Sequence, residues 1–339
     1  MRRFAVHHHS YLFLVLCLLC FFLACRPSKE AVSKPSKPKP VILDTDISSD
    51  VDDVGAVSVL HQLANQGEIE ILAVMVSSGD PWSARCLHAL NTYLGRSGIP
   101  VGAVYGKSVV HESKYTQKVA TEFGHDIDPD VGTKDAISLY REILTSRNDG
   151  EVTIISVGYL TNLSDLLQST PDAISSLGGR NLVAKKVNRL VCMGGKYPSG
   201  REWNFYQDAS SAAYTVKTWP SPIVFVGFET GVKILTGSGL INTTAPNPVR
   251  RAYELYNGLT NRPSWDQLAV LYAAKNDQPS FAEYWEVITG KNSVQDDGSN
   301  HWVETSALQY SYVRLKKPPG EFAEMIENLM IQSLVPRLK

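Results

Sequence analysis

Five aspartates stand within ten residues: Asp44, Asp46, Asp50, Asp52 and Asp53. Carboxylates this close repel one another unless a cation sits among them. An all-oxygen donor set of this kind suits a hard divalent ion such as calcium or magnesium. An apolar run, Val41, Ile42 and Leu43, leads into the acids, and Val54, Val57, Val59, Leu60 and Leu63 then recur at helical spacing. The acids therefore sit on a strand-to-helix turn at the carboxyl end of a strand, where open α/β sheets place their ligands. A helix cap accounts for one or two of them, because acids are favourable in a first turn. It does not account for Asp44 and Asp46, which alternate at the end of a buried strand. A metal-binding or catalytic cluster covers all five.

The elements that must hold such a cluster are legible as alternating runs. Residues 70–76, 99–104, 152–157, 187–193 and 223–226 read as buried strands. Helical segments lie near residues 82–93, 135–144, 209–217 and 265–274. The alternation predicts an α/β fold: an open, mostly parallel, Rossmann-like sheet with helices on both faces. Residues 111–133 are polar with little periodicity and read as a long loop. Strand-like pieces at 284–289 and 308–315 and a final helix at 321–334 complete the chain.

The 339 residues are 43% hydrophobic and 20% charged, an ordinary globular composition. A net charge of −1 with no long basic run gives nucleic-acid binding no electrostatic support. The N-terminus reads as targeting. Arg2 and Arg3 precede an apolar stretch at residues 11–24, shorter than the ~20 residues of a membrane span. It ends in Phe22-Leu23-Ala24-Cys25, which resembles a bacterial lipobox. The implied organisation is a lipoprotein signal peptide (1–24), acylation of Cys25, a disordered tether rich in Lys, Ser and Pro (25–38), and one domain (39–339). That places the protein in the bacterial cell envelope, lipid-anchored in the periplasm or at the outer membrane; an uncleaved anchor or a plain secretory signal is the alternative. Cys86 and Cys192 read as free core residues.

Four blocks together resemble the nucleoside hydrolases of the inosine-uridine-preferring type. They are Asp44-Thr45-Asp46 with Asp52-Asp53; Val157-Gly158-Tyr159-Leu160-Thr161-Asn162; Met193-Gly194-Gly195 followed by Glu202-Trp203-Asn204; and Ser264-Trp265-Asp266 opening a helix. The resemblance implies that family's fold, one calcium ion at the base of a deep pocket, and cleavage of the N-glycosidic bond of ribonucleosides to ribose and free base. It implies Asp46, Asp53 and Asp266 as carboxylate ligands, with Val157 supplying a backbone carbonyl. Asp46 is then the general base and Asp44 its support. Asp52 holds ribose hydroxyls, Glu202 and Asn204 grip the far edge of the sugar, and Met193 lines the pocket. Relatives are often homodimers or homotetramers.

The chain also departs from the family pattern. Two extra residues separate Asp46 from the Asp52-Asp53 pair, which makes Asp50 an additional acid, a cap or a supporting partner. Asp80 falls where many members place a ribose-touching asparagine, so it is a candidate substrate contact or a turn residue before Pro81. Trp265 stands where many members carry a histidine that assists departure of the base. Tryptophan cannot act as an acid, but it stacks on a flat base, an interaction worth ~1–3 kcal/mol. His111, His125, His301 and Tyr159 are candidates for the missing acid, and Trp82 and Trp203 for further pocket walls. Two other functions fit parts of the sequence. One is a non-catalytic or repurposed nucleoside- or sugar-binding lipoprotein on the same fold. The other is a haloacid-dehalogenase-type phosphatase with Asp44 as nucleophile, which leaves the Asp266 block unexplained.

Overall fold

The computed structural model describes residues 37–127, 132–306 and 309–335. The signal segment, Cys25 and the expected tether up to residue 36 lie outside the described residues. The apolar run before the acidic turn forms β1 (Lys39–Thr45), and strand and helix alternate from there: α1 (Asp52–Asn65), β2 (Ile69–Val76), α2 (Ser83–Tyr93), β3 (Val101–Ala103), α3 (Thr116–Phe123), β4 (Lys134–Asp135), α4 (Ala136–Ser146) and β5 (Val152–Ser156). Helices α5 (Thr161–Gln168) and α6 (Gly179–Lys186) lead to β6 (Val187–Met193) and the short β7 (Ser199–Arg201). Next come α7 (Trp203–Gln207), α8 (Ala209–Thr218), β8 (Ile223–Val226), α9 (Phe228–Gly231) and β9 (Leu235–Thr236). The chain continues through α10 (Pro248–Asn257), β10 (Arg262–Pro263) and α11 (Trp265–Lys275). It closes with β11 (Trp285–Val294), β12 (Ser299–Glu304), β13 (Tyr310–Leu315) and α12 (Pro319–Ser333).

Eleven strands form one sheet in the order β4-β3-β2-β1-β5-β6-β8-β13-β11-β12-β7. Every pair from β4 to β13 is parallel. The last three pairs are antiparallel. This is the expected open, mostly parallel sheet. Buried strands carry apolar residues on both faces because side chains alternate. In β1, Val41 and Leu43 join one core cluster and Ile42 the other. Helices α1, α11 and α12 supply apolar residues to the first cluster, and α4, α5 and α8 to the second.

The strand order fixes where a ligand can sit. The chain builds β1 to β4 outward in one direction and then returns to lay β5 on the other side of β1. Connections leave in opposite directions at that point, which opens a crevice beyond the carboxyl ends of β1 and β5. Asp46 follows β1 and Val157 follows β5.

The structure adds elements that the sequence expectation left out, α3, β7, β12, α6 and α10 among them. Residues 111–133 are not a continuous loop, because α3 lies within them and buries Thr116, Val119 and Ala120. Strands β7 and β12 had no sequence signal. Of β12 only Asn300 and Trp302 are buried, so its composition reads as polar. It is defined by its partners, β11 on one side and β7 on the other. Cys86 and Cys192 are buried and unbridged, as expected.

The crevice requires close backbone approach. A Cβ at Gly158, just after β5, would lie 2.4 Å from the Asp46 amide nitrogen and 2.8 Å from Ser77 Oγ. The obstacle is backbone and cannot swing aside. Gly158→Ala should therefore destabilise the fold by ~1–3 kcal/mol, as overpacking does. Urea unfolding measures this, and an unchanged midpoint would show that the two strand ends can separate freely.

Candidate active site

The site is built on β1. Asp44, its penultimate residue, is fully buried. Its carboxylate accepts hydrogen bonds from Tyr140 Oη on α4 at 2.8 Å and from Asn162 Nδ2 on α5 at 3.2 Å. Its carbonyl accepts from the Val157 amide at 2.7 Å. Asp44 thus ties the end of β1 to β5 and two helices. Burial pushes its carboxyl up to about 7, against the pull of Tyr140, Asn162 and Ser77. It does not line the cavity above, so it is not placed to act as a phosphatase nucleophile.

Above Asp44 opens a cavity of about 350 Å³, lined by Asp46, Asp50, Asp52, Asp53, Glu202 and Asp266 among others. Asp52 and Asp53 stand in the first turn of α1 and Asp266 in the first turn of α11. One carboxylate oxygen from each of these three lies within 4.8 Å of the others. Burial comes first, and repulsion from neighbouring acids second, in pushing all three well above the usual carboxylate range. Asp46 lines the same cavity. Burial raises its carboxyl to about 7; a hydrogen bond from Tyr159 opposes this, and repulsion from Asp50 and Glu202 adds to it.

The donors fit a hard divalent cation. They are carboxylate oxygens from the first turns of two helices, close together and short of positive charge. The tight trio includes Asp52, which the family pattern gives to the sugar, and omits Asp46, which borders the same space. Val157 also lines the cavity, and its carbonyl accepts from Asn204 Nδ2 at 3.0 Å.

Two of the lining carboxylates are each held by several donors. Glu202 caps α7, accepting from the amides of Gly195 at 3.0 Å, Asn204 at 2.9 Å and Phe205 at 3.3 Å. Burial raises it to about 7, with those amides opposing. Asp50 is not a helix cap: the N-cap residue of α1 is Val51, which makes no side-chain cap bond. Asp50 instead accepts from Arg262 Nε at 3.0 and 3.1 Å, and from Nη2. The two residues are 212 positions apart, and nothing in the sequence marked the pair.

An aromatic wall completes the cavity: Trp203, Phe228, Tyr256 and Trp265, with Met193 beside Asn204. Trp265 Nε1 donates to the Phe228 carbonyl at 2.8 Å, and the two rings stack with centroids 5.5 Å apart. Phe228, Tyr256, Ser49 and Arg262 were missed by sequence reasoning, because none falls in a motif block.

Other candidates lie elsewhere. Asp80 does not line the cavity; its carboxylate accepts from Ser83 Oγ at 2.9 Å at the start of α2, so it is a turn residue. Trp82, His125 and His301 are also absent from the lining. His111 and Tyr159 flank it, the His111 ring packing 5.1 Å from Trp203 and 6.4 Å from Tyr159.

Over residues 41–318 the chain matches the family model described as "Inosine-uridine preferring nucleoside hydrolase". No curated protein sequence matches it. Among solved structures it is similar to an inosine-uridine preferring nucleoside hydrolase from Bacillus anthracis, at 18% identity and TM-score 0.62, over 87% of this chain and 99% of that one. It is similar to a purine-preferring ribonucleoside hydrolase from Gardnerella vaginalis at 17% identity and TM-score 0.62, over 87% and 99%. It is also similar to the type III effector protein XopQ complexed with adenosine diphosphate ribose, at 16% identity and TM-score 0.65, over 97% and 100%. At these identities the likeness to each structure is one of fold.

The raised carboxyls make stability depend on pH and on metal. Asp44 and Asp46 rise from 3.8 to about 7 on folding, so between those values the native state holds protons that the unfolded chain has released. Stability of the metal-free protein should therefore fall as pH rises through that window. A cation that binds only the folded state should offset the loss. Calcium should thus raise the Tm more at about pH 8 than at about pH 5. Asp266→Asn should remove most of that shift in a thermal melt; an identical response in variant and parent would exclude Asp266 from the cation site.

Proposed function

Since this chain belongs to the inosine-uridine preferring nucleoside hydrolase family, we propose that it hydrolyses the N-glycosidic bond of ribonucleosides, with Asp46 as general base and calcium as cofactor. One observation carries this reading: Asp46, Asp53 and Asp266, from three separate segments, converge with Val157 on one cavity at the β1–β5 crevice. Asp46, Asp53, Asp266 and the Val157 carbonyl would hold the ion, with Asp52 close enough to share it. When bound, the ion supplies Lewis acidity, which makes water a better nucleophile at neutral pH and holds the diol oxygens of ribose.

The chain's own residues do the rest. Asp46 takes a proton from water as it attacks the anomeric carbon. The ribose becomes oxocarbenium-like, and the surrounding carboxylates stabilise that positive charge. Asn204 and Met193 line the sugar end, with Glu202 fixing the turn that carries Asn204. The rings of Trp265, Phe228, Tyr256 and Trp203 offer flat surfaces to a base. Asp44, beneath, keeps Asp46 in place by locking the strand end.

A second function, binding a nucleoside or ribose derivative without turnover, is favoured by one feature. The tryptophan that replaces the usual histidine has its only donor committed to Phe228, and no histidine lines the cavity among the described residues. Asp46→Asn separates the two: general-base loss should lower kcat by ~10²–10⁴-fold with sugar binding kept. Release of reducing sugar from inosine or uridine measures it, and an unchanged rate would remove Asp46 as base.

Export and anchoring at the cell envelope through acylated Cys25 belong to the same proposal, supported by the lipobox-like Phe22-Leu23-Ala24-Cys25. Metabolic labelling with an alkyne fatty acid should mark the protein, and Cys25→Ala should abolish the label. Retained label would refute the anchor.

A further inference from the structure

Arg262 is the one Lys, Arg or His side chain lining the cavity among the described residues, against six carboxylates. Its orientation is set by Asp50 and by two neighbouring rings. Nε and Nη2 donate to Asp50, whose own position is set by the Val51 amide at 2.7 Å and, at its carbonyl, by Tyr115 Oη at 2.6 Å. The guanidinium carbon lies 5.3 Å from the Trp265 ring centroid and 5.7 Å from that of Tyr256. Nη1 donates to none of the hydrogen bonds found among the described residues. A planar donor with one edge pinned to a carboxylate and two aromatic rings close by has its remaining edge preorganised.

The guanidinium lines the cavity next to Trp265 and Tyr256, two rings of the wall against which a base would stack. The other polar groups of this wall are engaged: Trp265 donates to a carbonyl, the Tyr256 hydroxyl is hydrogen-bonded to Asp50, and Asp50 is paired with Arg262. Because Asp50 neutralises the guanidinium and five more acids line the same cavity, a fully charged group such as phosphate gains little here. A neutral acceptor that becomes negative during reaction gains most, since the donor is already in place. We infer that Arg262 is the leaving-group residue, donating through Nη1 to an acceptor edge of the departing base and stabilising its negative charge as the N-glycosidic bond breaks. The inference rests on the hydrolase reading above. In this step the bonding pair passes to the base nitrogen, water oxygen bonds to the anomeric carbon, and one water proton goes to Asp46. The base leaves as an anion and is reprotonated from solvent, to which Asp46 returns its proton.

The test compares inosine with p-nitrophenyl β-D-ribofuranoside, whose leaving group is stable without help, using the full chain. Arg262→Gln should lower kcat on inosine by ~10²–10³-fold, the cost of removing one such donor, and on the nitrophenyl riboside by less than ~10-fold. Equal losses on both, or none on inosine, would overturn the role. Should Arg262→Gln not fold, Arg262→Lys decides: it keeps the charge but loses the planar fork. The inosine-to-nitrophenyl rate ratio should then fall by at least ~10-fold, and an unchanged ratio overturns the role. A parent protein that cleaves the nitrophenyl riboside but no nucleoside overturns the inference and leaves a ribosidase. A parent that cleaves neither overturns the hydrolase reading, and this inference with it.

Discussion

Like charge confined out of water is the constraint on which this structure turns. Six carboxylates line one cavity, and a seventh, Asp44, lies buried beneath it. An unpaired buried carboxylate is costly enough that it takes up a proton rather than stay charged. The fold relieves that cost by dividing the acids among different partners. Asp44 is held by a phenol and an amide, Glu202 by three backbone amides, and Asp50 by a guanidinium. Asp46, Asp52, Asp53 and Asp266 form no ion pair among the described residues, and repulsion between neighbouring acids adds to burial in pushing their carboxyls up. The residual negative charge is concentrated where a divalent ion would stand.

The sheet makes this concentration mechanically sustainable. Val157 and Ser77 donate to the carbonyls of Asp44 and Thr45, so the end of β1 is fastened to both neighbouring strands. Gly158 permits the approach because any side chain there would strike the Asp46 backbone. The helices carrying Asp52, Asp53 and Asp266 are packed side by side on one face of the sheet, with their first turns at the cavity. Rigid elements hold the acids together against their repulsion. Flexible loops could not do so, because they would let the charges drift apart.

The other end of the cavity has a different chemistry. Trp265 packs onto Phe228 over Gly231, where a Cβ would lie 2.7 Å from the tryptophan Cα. Its one polar side-chain atom is engaged by the Phe228 carbonyl. Function on this family scaffold is therefore divided between an anionic end suited to a cation and a polyol, and an aromatic end suited to a planar group with one fixed cationic edge.

The sequence alone carried the α/β class, the parallel strands, the acidic turn and the family, because each is written in local signals. Buried parallel strands are continuous apolar runs, and the motif blocks keep their order along the chain. It did not carry β7, β12 or α3, since short, half-exposed elements are defined by what they pair with. It could name Asp46, Asp53 and Asp266, but could not say that Asp52 stands in the tightest trio, that Asp80 turns away, or that Asp50 is neutralised by Arg262. Those facts depend on distances between residues up to 212 positions apart. The strength of a charge interaction follows separation in space, and only the folded chain sets that separation.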